Sequence, residues 1–217
     1  MTQNADFTPA LGRHELTGAY DRMIALMTRE RRWRGELLAL AAPQPGEVIV
    51  DVGCGTGTFA IMLKRACPSA RVIGVDPDEN VLAIARRKAA AAGVEVEFRR
   101  AFGDELAALR TPVDKVVSSL VLHQCPMAVK RAILAAGAAA LGAGGRLILA
   151  DYGRQRSLLM RLLFRQVQML DGFANTEPNA QGVLPGLIEE AGFRGVEERC
   201  VVPTPTGSIS IYSAEKP

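Results

Sequence analysis

The sequence predicts an α/β fold, a seven-stranded, mostly parallel sheet with helices on both faces and an antiparallel hairpin at one edge. Short apolar runs rich in Val and Ile alternate with longer segments of helical periodicity, which is typical of parallel βαβ units. The last two apolar runs, 196–202 and 208–214, are joined through Pro203, Pro205 and Gly207 without a helix between them. We therefore expect these two runs to pair as the edge hairpin.

The first strand and the loop after it form the most informative segment of the chain. An apolar, β-branched run leads into Asp51, and glycines then occupy every second position as Gly53, Gly55 and Gly57. A helical pattern follows directly. The order strand, glycine turn, helix brings backbone N–H groups against a ligand, and glycine supplies the unusual backbone angles and the close approach.

The glycine spacing distinguishes this loop from a dinucleotide site. A dinucleotide loop reads G-x-G-x-x-G and packs a pyrophosphate at the helix start. Here the spacing is G-x-G-x-G, and Asp51 stands two residues before the first glycine, where a carboxylate repels a pyrophosphate but suits a cationic amino group. With Cys54 and Thr56 between its glycines, the segment resembles the first motif of the class I S-adenosylmethionine-dependent methyltransferases. That resemblance implies a Rossmann-like fold whose loop cradles the methionine part of S-adenosylmethionine.

The next two strand ends carry further candidate cofactor ligands. The second apolar run ends in Asp76, about 20 residues past the glycine loop, where nucleotide folds place a carboxylate for the ribose hydroxyls. Pro77 follows and would pack on adenine; a simple helix cap is the alternative role for Asp76. After the third run, Gly103 and Asp104 match the Gly-Asp pair for which the resemblance implies a contact with the adenine amino group. Gly-Asp is also an ordinary turn pair.

The fourth strand, predicted over 115–119, ends in Ser119 at the cofactor edge and is followed by His123. Many small-molecule methyltransferases of this class have a similar S-S-x-x-L-H-H segment, and here Gln124 replaces the second histidine. The resemblance implies that His123 lies near the transferred methyl group, where a neutral imidazole could accept a proton. The alternative is a histidine that packs or hydrogen-bonds behind the strand.

Three other residues have candidate roles beside the cofactor. Tyr152 and Asp151, at the end of the fifth strand, are further candidates for a base, and Asp151 is alternatively a structural cap. Tyr20, on a predicted N-terminal helix, would close over the cofactor or else pack in the core. No cluster with the spacing of metal ligands accompanies them, so we predict no metal site.

The segment 157–170 is relevant to which acceptor the protein could bind. Its polar residues Arg161, Arg165 and Gln168 share one helical face, and an apolar face is formed by Leu158, Leu159, Leu162, Leu163 and Val167. It could pack on the core, close as a lid over an apolar acceptor, form a dimer contact or lie on a membrane surface. We expect this helix to belong to the acceptor side. A second basic cluster, Arg29, Arg31, Arg32 and Arg34, is predicted to be a solvated face, with a phosphate site as the alternative.

Length and composition are consistent with one compact domain. We predict an N-terminal helical cap over 1–43, a cofactor-binding half over 44–151, and a substrate side with closing strands over 152–217. Apolar residues make up 48% and charged residues 23%, and the net charge of +3 does not imply nucleic acid as a partner. Four scattered cysteines indicate free thiols, and no signal peptide or membrane-length run is evident, so we expect a cytoplasmic protein.

Segments near both ends of the chain resemble one family within the class I methyltransferases. Tyr20-Asp21, Trp33-Arg34 and the tail 206–216 resemble the ubiquinone/menaquinone C-methyltransferase family. The match is specific over 44–150 and loose over 152–182. It implies methyl transfer to a small-molecule acceptor, quinone-like or phenolic.

Two alternative functions and several features of the assembly stay open. The alternatives are a phospholipid N-methyltransferase at a membrane surface and a non-catalytic cofactor-binding module. A peripheral membrane contact and a monomeric or homodimeric state are undecided. Amino-methylating DNA enzymes and magnesium-dependent catechol enzymes are set aside, because neither the D/N-P-P-Y/F segment nor the required acid and Asn ligands are present.

Overall fold

The computed structural model describes residues 28–217, which form a seven-stranded sheet in the order β3-β2-β1-β4-β5-β7-β6. The strands are β1 (Val48–Val52), β2 (Arg71–Asp76), β3 (Glu97–Arg100), β4 (Val113–Ser119), β5 (Leu141–Tyr152), β6 (Arg194–Thr204) and β7 (Gly207–Glu215). Strands β1 to β5 pair in parallel, and β7 is antiparallel to both β5 and β6. The predicted fold class is therefore confirmed, including its edge hairpin.

Seven α-helices of the described residues surround the sheet. They are α1 (Glu30–Ala41), α2 (Thr58–Ala66), α3 (Glu79–Ala91), α4 (Met127–Ala140), α5 (Leu158–Asp171), α6 (Phe173–Gln181) and α7 (Leu184–Glu190). Two single 3₁₀ turns cover Leu106–Leu109 and Leu122–Gln124. Tyr20, Asp21 and most of the predicted N-terminal cap lie outside the described residues. None of the helices from residue 28 onward is long and apolar enough to cross a membrane.

The alternation of side chains along β1 divides the core into two layers. Val50 and Val52 pack into one apolar cluster with α4 and α7, whereas Ile49 joins a second cluster with Trp33 of α1 and Phe59 of α2. Successive residues of a strand point to opposite faces. Asp51 therefore points to the same face as Ile49, between the sheet and the helices α1 and α2.

The topology places the candidate site at one edge of the sheet. The chain runs from β1 outward through β2 to β3, then returns to build β4 and β5 on the other side of β1. The loops after β1 and β4 consequently diverge, and open α/β sheets bind ligands at such a switch point, beyond the carboxyl ends of the strands.

Two segments differ from the sequence-based expectation. Strand β5 begins at Leu141 and includes the glycine-rich stretch, because the backbone there pairs with β4 and with the tail at Lys216. Helix α6 was not predicted, since it contains Pro178 and few apolar residues. Gly172 and Gly182, both with positive φ, bound it.

Candidate cofactor and acceptor site

The glycine loop packs against β2, β3 and the loop that follows β4. Gly53 and Cys54 both donate their N–H groups to the carbonyl of Val75, at 2.9 and 3.0 Å. All three glycines have positive φ, between 51° and 74°. A Cβ atom on Gly53 would lie 2.3 Å from the Val121 side chain, and one on Gly57 would lie 2.8 Å from Phe98. A Cβ on Gly55 would meet nothing within 4 Å, so the loop borders open space at its centre.

Asp51 is a buried carboxylate without a partner. Asp51 is only 1% exposed, and neither of its carboxylate oxygens has a hydrogen-bond partner of ordinary geometry among the described residues. Burial raises the pKa of Asp51 to about 7, against the opposing effects of the Arg34 charge and the nearby Ala60 amide. A buried, unpaired carboxylate is costly, and a cationic ligand group would offset that cost.

Asp76 fastens the glycine loop to the end of β2. Its Oδ2 accepts the Gly55 N–H at 2.9 Å and its Oδ1 accepts the Asp78 N–H at 3.0 Å. Burial raises the pKa of Asp76, although these hydrogen bonds oppose the shift. The helix cap of α3 is Asp78, which accepts the Asn80 N–H at 2.8 Å, so Asp76 is not that cap.

The remaining predicted cofactor residues surround the loop. Gly103 packs so closely on β1 that a Cβ there would lie 2.8 Å from Val52, which brings the exposed Asp104 to the same edge. Pro77 is half-buried, and its carbonyl accepts a hydrogen bond from Arg100. Ser119 is half-buried at the end of β4.

The two residues between the glycines have different surroundings. Lys88 donates to the Thr56 hydroxyl at 3.0 Å and to that of Thr58 at 2.6 Å, which braces the loop from α3. Burial raises the pKa of the Cys54 thiol, and the Asp51 charge adds to the shift. Cys54 is therefore an unreactive thiol.

The loop after β4 holds a strained residue that the sequence did not reveal. Leu120 has φ of 57°, a left-handed conformation that is rare for a residue other than Gly or Asn. The turn presents the N–H groups of Val121, Leu122 and His123 to one carboxylate oxygen, Asp151 Oδ2, at 3.1, 2.7 and 3.3 Å. Asp151 is thus a structural cap and not a free base.

His123 lies between two carboxylates. Its Nδ1 is 2.7 Å from Asp151 Oδ1, and its Nε2 is 3.4 Å from Asp171 Oδ2. Burial alone would lower the pKa of His123, but the charges and hydrogen bonds of the two aspartates outweigh it and raise that pKa to about 9. A raised pKa favours the protonated ring at physiological pH, whereas the sequence suggested a neutral imidazole.

Tyr152 packs against the ring of His123. Its ring meets that of His123 edge-on, with centroids 5.0 Å apart, and contacts Phe164 on the other side at 4.9 Å. The buried hydroxyl lies 2.8 Å from Thr206 Oγ1, and burial raises the pKa of Tyr152 to about 12. A phenol with a raised pKa stays protonated at neutral pH, which disfavours Tyr152 as a base.

Sequence reasoning missed the buried Lys130. Its Nζ donates to the carbonyls of Leu122 and Asn175, at 2.6 and 2.8 Å, and to Asn179 Oδ1 at 2.7 Å. Burial lowers the pKa of Lys130 to about 8. Asn179 also donates to the Tyr152 carbonyl at 3.0 Å. Lys130 therefore ties helix α6 to the loop that carries His123.

Helix α5 is oriented differently from the prediction. The residues that face the core are Phe164, Val167 and Gln168, whereas Leu158, Leu159 and Leu162 are exposed. Arg161 and Arg165 are exposed as predicted, but Gln168 is not on their side. The basic cluster before β1 also divides, because Arg34 is mostly buried, pairs with Glu30 and stacks over the Trp33 ring.

The raised pKa of His123 predicts a pH-dependent stability. The folded-state pKa of about 9 exceeds the ordinary value of 6.5, so the stabilisation is full below about pH 6.5 and is lost as the pH rises through about 9. Urea denaturation at intervals from pH 6 to pH 9.5 should show wild-type stability falling by up to about 3 kcal/mol more than that of His123→Gln. Parallel curves for the two proteins would contradict the imidazolium assignment.

Comparison with known proteins shows similarity to methyltransferases. Residues 49–145 match a family model described as a methyltransferase domain. A demethylmenaquinone methyltransferase of Thermus thermophilus is 42% identical over 89 residues, covering 40% of each chain. A release factor glutamine methyltransferase of Deinococcus radiodurans is 35% identical over 124 residues, covering 46% of this chain and 44% of the relative. The chain thus spans less than half the length of these curated relatives.

Solved structures share the fold across nearly the whole chain. An O-methyltransferase family protein from Burkholderia thailandensis superposes with a TM-score of 0.72 at 17% identity, covering 94% of this chain and 60% of that one. Magnesium protoporphyrin IX methyltransferase from Synechocystis, with bound SAH, gives 0.67 at 22% identity and covers 95% and 90%. The resemblance to class I methyltransferases read from the glycine loop is confirmed.

Proposed function

We propose that this chain, whose residues 49–145 match a methyltransferase domain, transfers a methyl group from S-adenosylmethionine to a small-molecule acceptor. The observation that carries the proposal is the pair of unpartnered Asp51 oxygens, buried beside a loop that is open at Gly55. This arrangement fits a ligand that brings a positive charge to β1 and approaches the backbone closely.

The residues at the sheet edge suit the parts of this cofactor. Asp51 would pair with the amino group of the methionine moiety, and Asp76 would accept hydrogen bonds from the ribose hydroxyls. Pro77 and Asp104 would contact the adenine. When bound, the cofactor supplies an electrophilic methyl carbon on a sulfonium, and the chain contributes mainly position and exclusion of water.

The His123 cluster suits an acceptor that reacts as an anion. The imidazolium Nε2 points to Asp171, whose carboxylate is partly exposed. An acidic hydroxyl of the acceptor would give its proton to Asp171 Oδ2, and the resulting oxyanion would be stabilised by the Nε2–H group. Phenolic and enolic compounds, including quinone-like ones, have such a hydroxyl. Asp171 is therefore proposed as the base, with His123 as the electrostatic and orienting partner.

Methyl transfer can be tested directly on small molecules. The chain is incubated with methyl-labelled S-adenosylmethionine and a metabolite extract, and the label is followed into the organic fraction. We expect labelled phenolic or quinone-like products from the wild type, and far less product from Asp51→Asn at a limiting cofactor concentration. Binding of the cofactor without transfer to any metabolite, lipid or protein fraction would instead identify a non-catalytic module.

The pKa of Asp51 predicts proton-linked binding of the cofactor. In the ligand-free protein the Asp51 carboxyl has a pKa of about 7, and an ammonium group beside it would lower that pKa. Below pH 7 binding must therefore displace a proton, and affinity should fall by up to tenfold per pH unit. Calorimetry at pH 6 in two buffers of different ionisation enthalpy measures the released proton. A pH-independent affinity, identical in Asp51→Asn, would show that the ligand does not meet this carboxylate.

A further inference from the structure

We propose that the outer face of α5 docks on an anionic lipid bilayer. Three residues at helical spacing form an apolar stripe on this face, Leu158, Leu162 and Met169, and their exposed fractions are 88%, 62% and 77%. Leu159 and Leu170 extend the stripe on one side and are also exposed. Exposed apolar residues that share a helix face mark contact surfaces, and on this face Arg165 stands between Leu162 and Met169.

The stripe is not needed to hold α5 in place. The opposite side of the helix is anchored by Phe164 and Val167, which are buried in the core layer that includes Tyr152. Ser157 caps the helix by accepting the Met160 N–H at 3.1 Å. The outer leucines are therefore largely uncovered within residues 28–217.

Arginines lie on α5 and beside its first turn. Arg154, Arg156 and Arg161 line a cavity of about 510 Å³ beside the start of α5, and Arg165 is an exposed residue of the same helix. Arg156 pairs with Glu198 and Arg161 with Glu177. Arg154 and Arg165 have no acidic partner in the described part of the chain.

The combination favours a bilayer over a second copy of the chain. A helix with an apolar stripe and flanking arginines lies in the interface plane, with its leucines at the acyl boundary and its guanidinium groups among anionic headgroups. A two-fold dimer through this face would bring the arginines of one copy towards those of the other, since such an interface is self-complementary. A headgroup phosphate also fits the fork of each guanidinium.

Vesicle flotation of the full chain tests the proposal. We expect binding to phosphatidylcholine vesicles that contain phosphatidylglycerol, weak binding to pure phosphatidylcholine, and release as the salt concentration rises. Arg154→Gln with Arg165→Gln should weaken binding about fivefold per arginine. Leu158→Gln with Leu162→Gln should weaken it by at least about tenfold, because the leucines lose their apolar burial.

A charge-matched control separates docking from general attraction. Arg87 and Arg194 are exposed and unpaired among the described residues, so Arg87→Gln with Arg194→Gln changes the net charge equally and should keep full binding. Equal loss in both arginine pairs, or no flotation of the wild type, would overturn the proposal. Sedimentation equilibrium tests the alternative that a second copy of the chain covers this face. A wild-type dimer that becomes a monomer in Leu158→Gln with Leu162→Gln would support that alternative.

Discussion

Asp51→Asn should weaken S-adenosylmethionine binding by about 10²-fold, because breaking one buried charge pair costs ~2–5 kcal/mol of binding free energy. The substitution keeps the shape of the side chain and removes only the charge that the cofactor's amino group would meet. Binding of the cofactor is measured by calorimetry near pH 7.5. The matched control is Glu95→Gln, an exposed carboxylate that should leave affinity unchanged.

The same variant should make the ligand-free protein more stable above pH 7. The pKa of Asp51 is raised in the folded state, so its ionisation opposes folding progressively as the pH rises from about 4 to about 7. The amide carries no charge and avoids that cost. A variant that is more stable but binds poorly would identify Asp51 as a ligand residue whose burial costs stability. Unchanged cofactor affinity would contradict this role.

His123→Ala should lower turnover by about 10²–10³-fold with little change in cofactor affinity, because the proposed role of this group is on the acceptor and its side-chain partners are Asp151, Asp171 and Tyr152. The pH profile separates two mechanisms. If the imidazolium is the active form, wild-type turnover falls as the pH rises through about 9. If a neutral imidazole were the base, turnover would instead rise through the ordinary histidine range near pH 6.5.

Asp171 provides the companion variant. Asp171→Asn removes the proposed proton acceptor and one of the two charges that hold the imidazolium. We expect a large loss of turnover together with a downward shift of the alkaline limb in the residual activity, because the pKa of His123 falls. Full turnover with an unchanged profile in both variants would make the histidine a structural residue and leave catalysis to positioning.

The cofactor-binding half was predictable because its motifs are short and each lies within one continuous stretch of sequence. Asp51, the three glycines and Asp76 sit at the ends of β-branched runs, and the parallel pairing of those runs brings their carboxyl ends to one edge. Strand periodicity and glycine spacing are both readable from short windows of sequence.

The acceptor half depends on contacts between distant segments. Lys130 meets Asn175 and Asn179, and His123 meets Asp171, only after α5 and α6 fold back over the loop that follows β4. The orientation of α5 was not predictable, since this helix has apolar residues on both sides and periodicity alone does not say which side meets the core. The raised pKa of His123 could not be predicted either, because neither aspartate is its neighbour in the sequence.

We propose that the loop at Asp51 binds S-adenosylmethionine and not a dinucleotide. Calorimetric titration of the full chain with S-adenosylmethionine and with NAD, in the same buffer near pH 7.5, distinguishes the two ligands. We expect one S-adenosylmethionine per chain and NAD binding that is far weaker or undetectable. Tighter binding of NAD than of S-adenosylmethionine would contradict the assignment of this site.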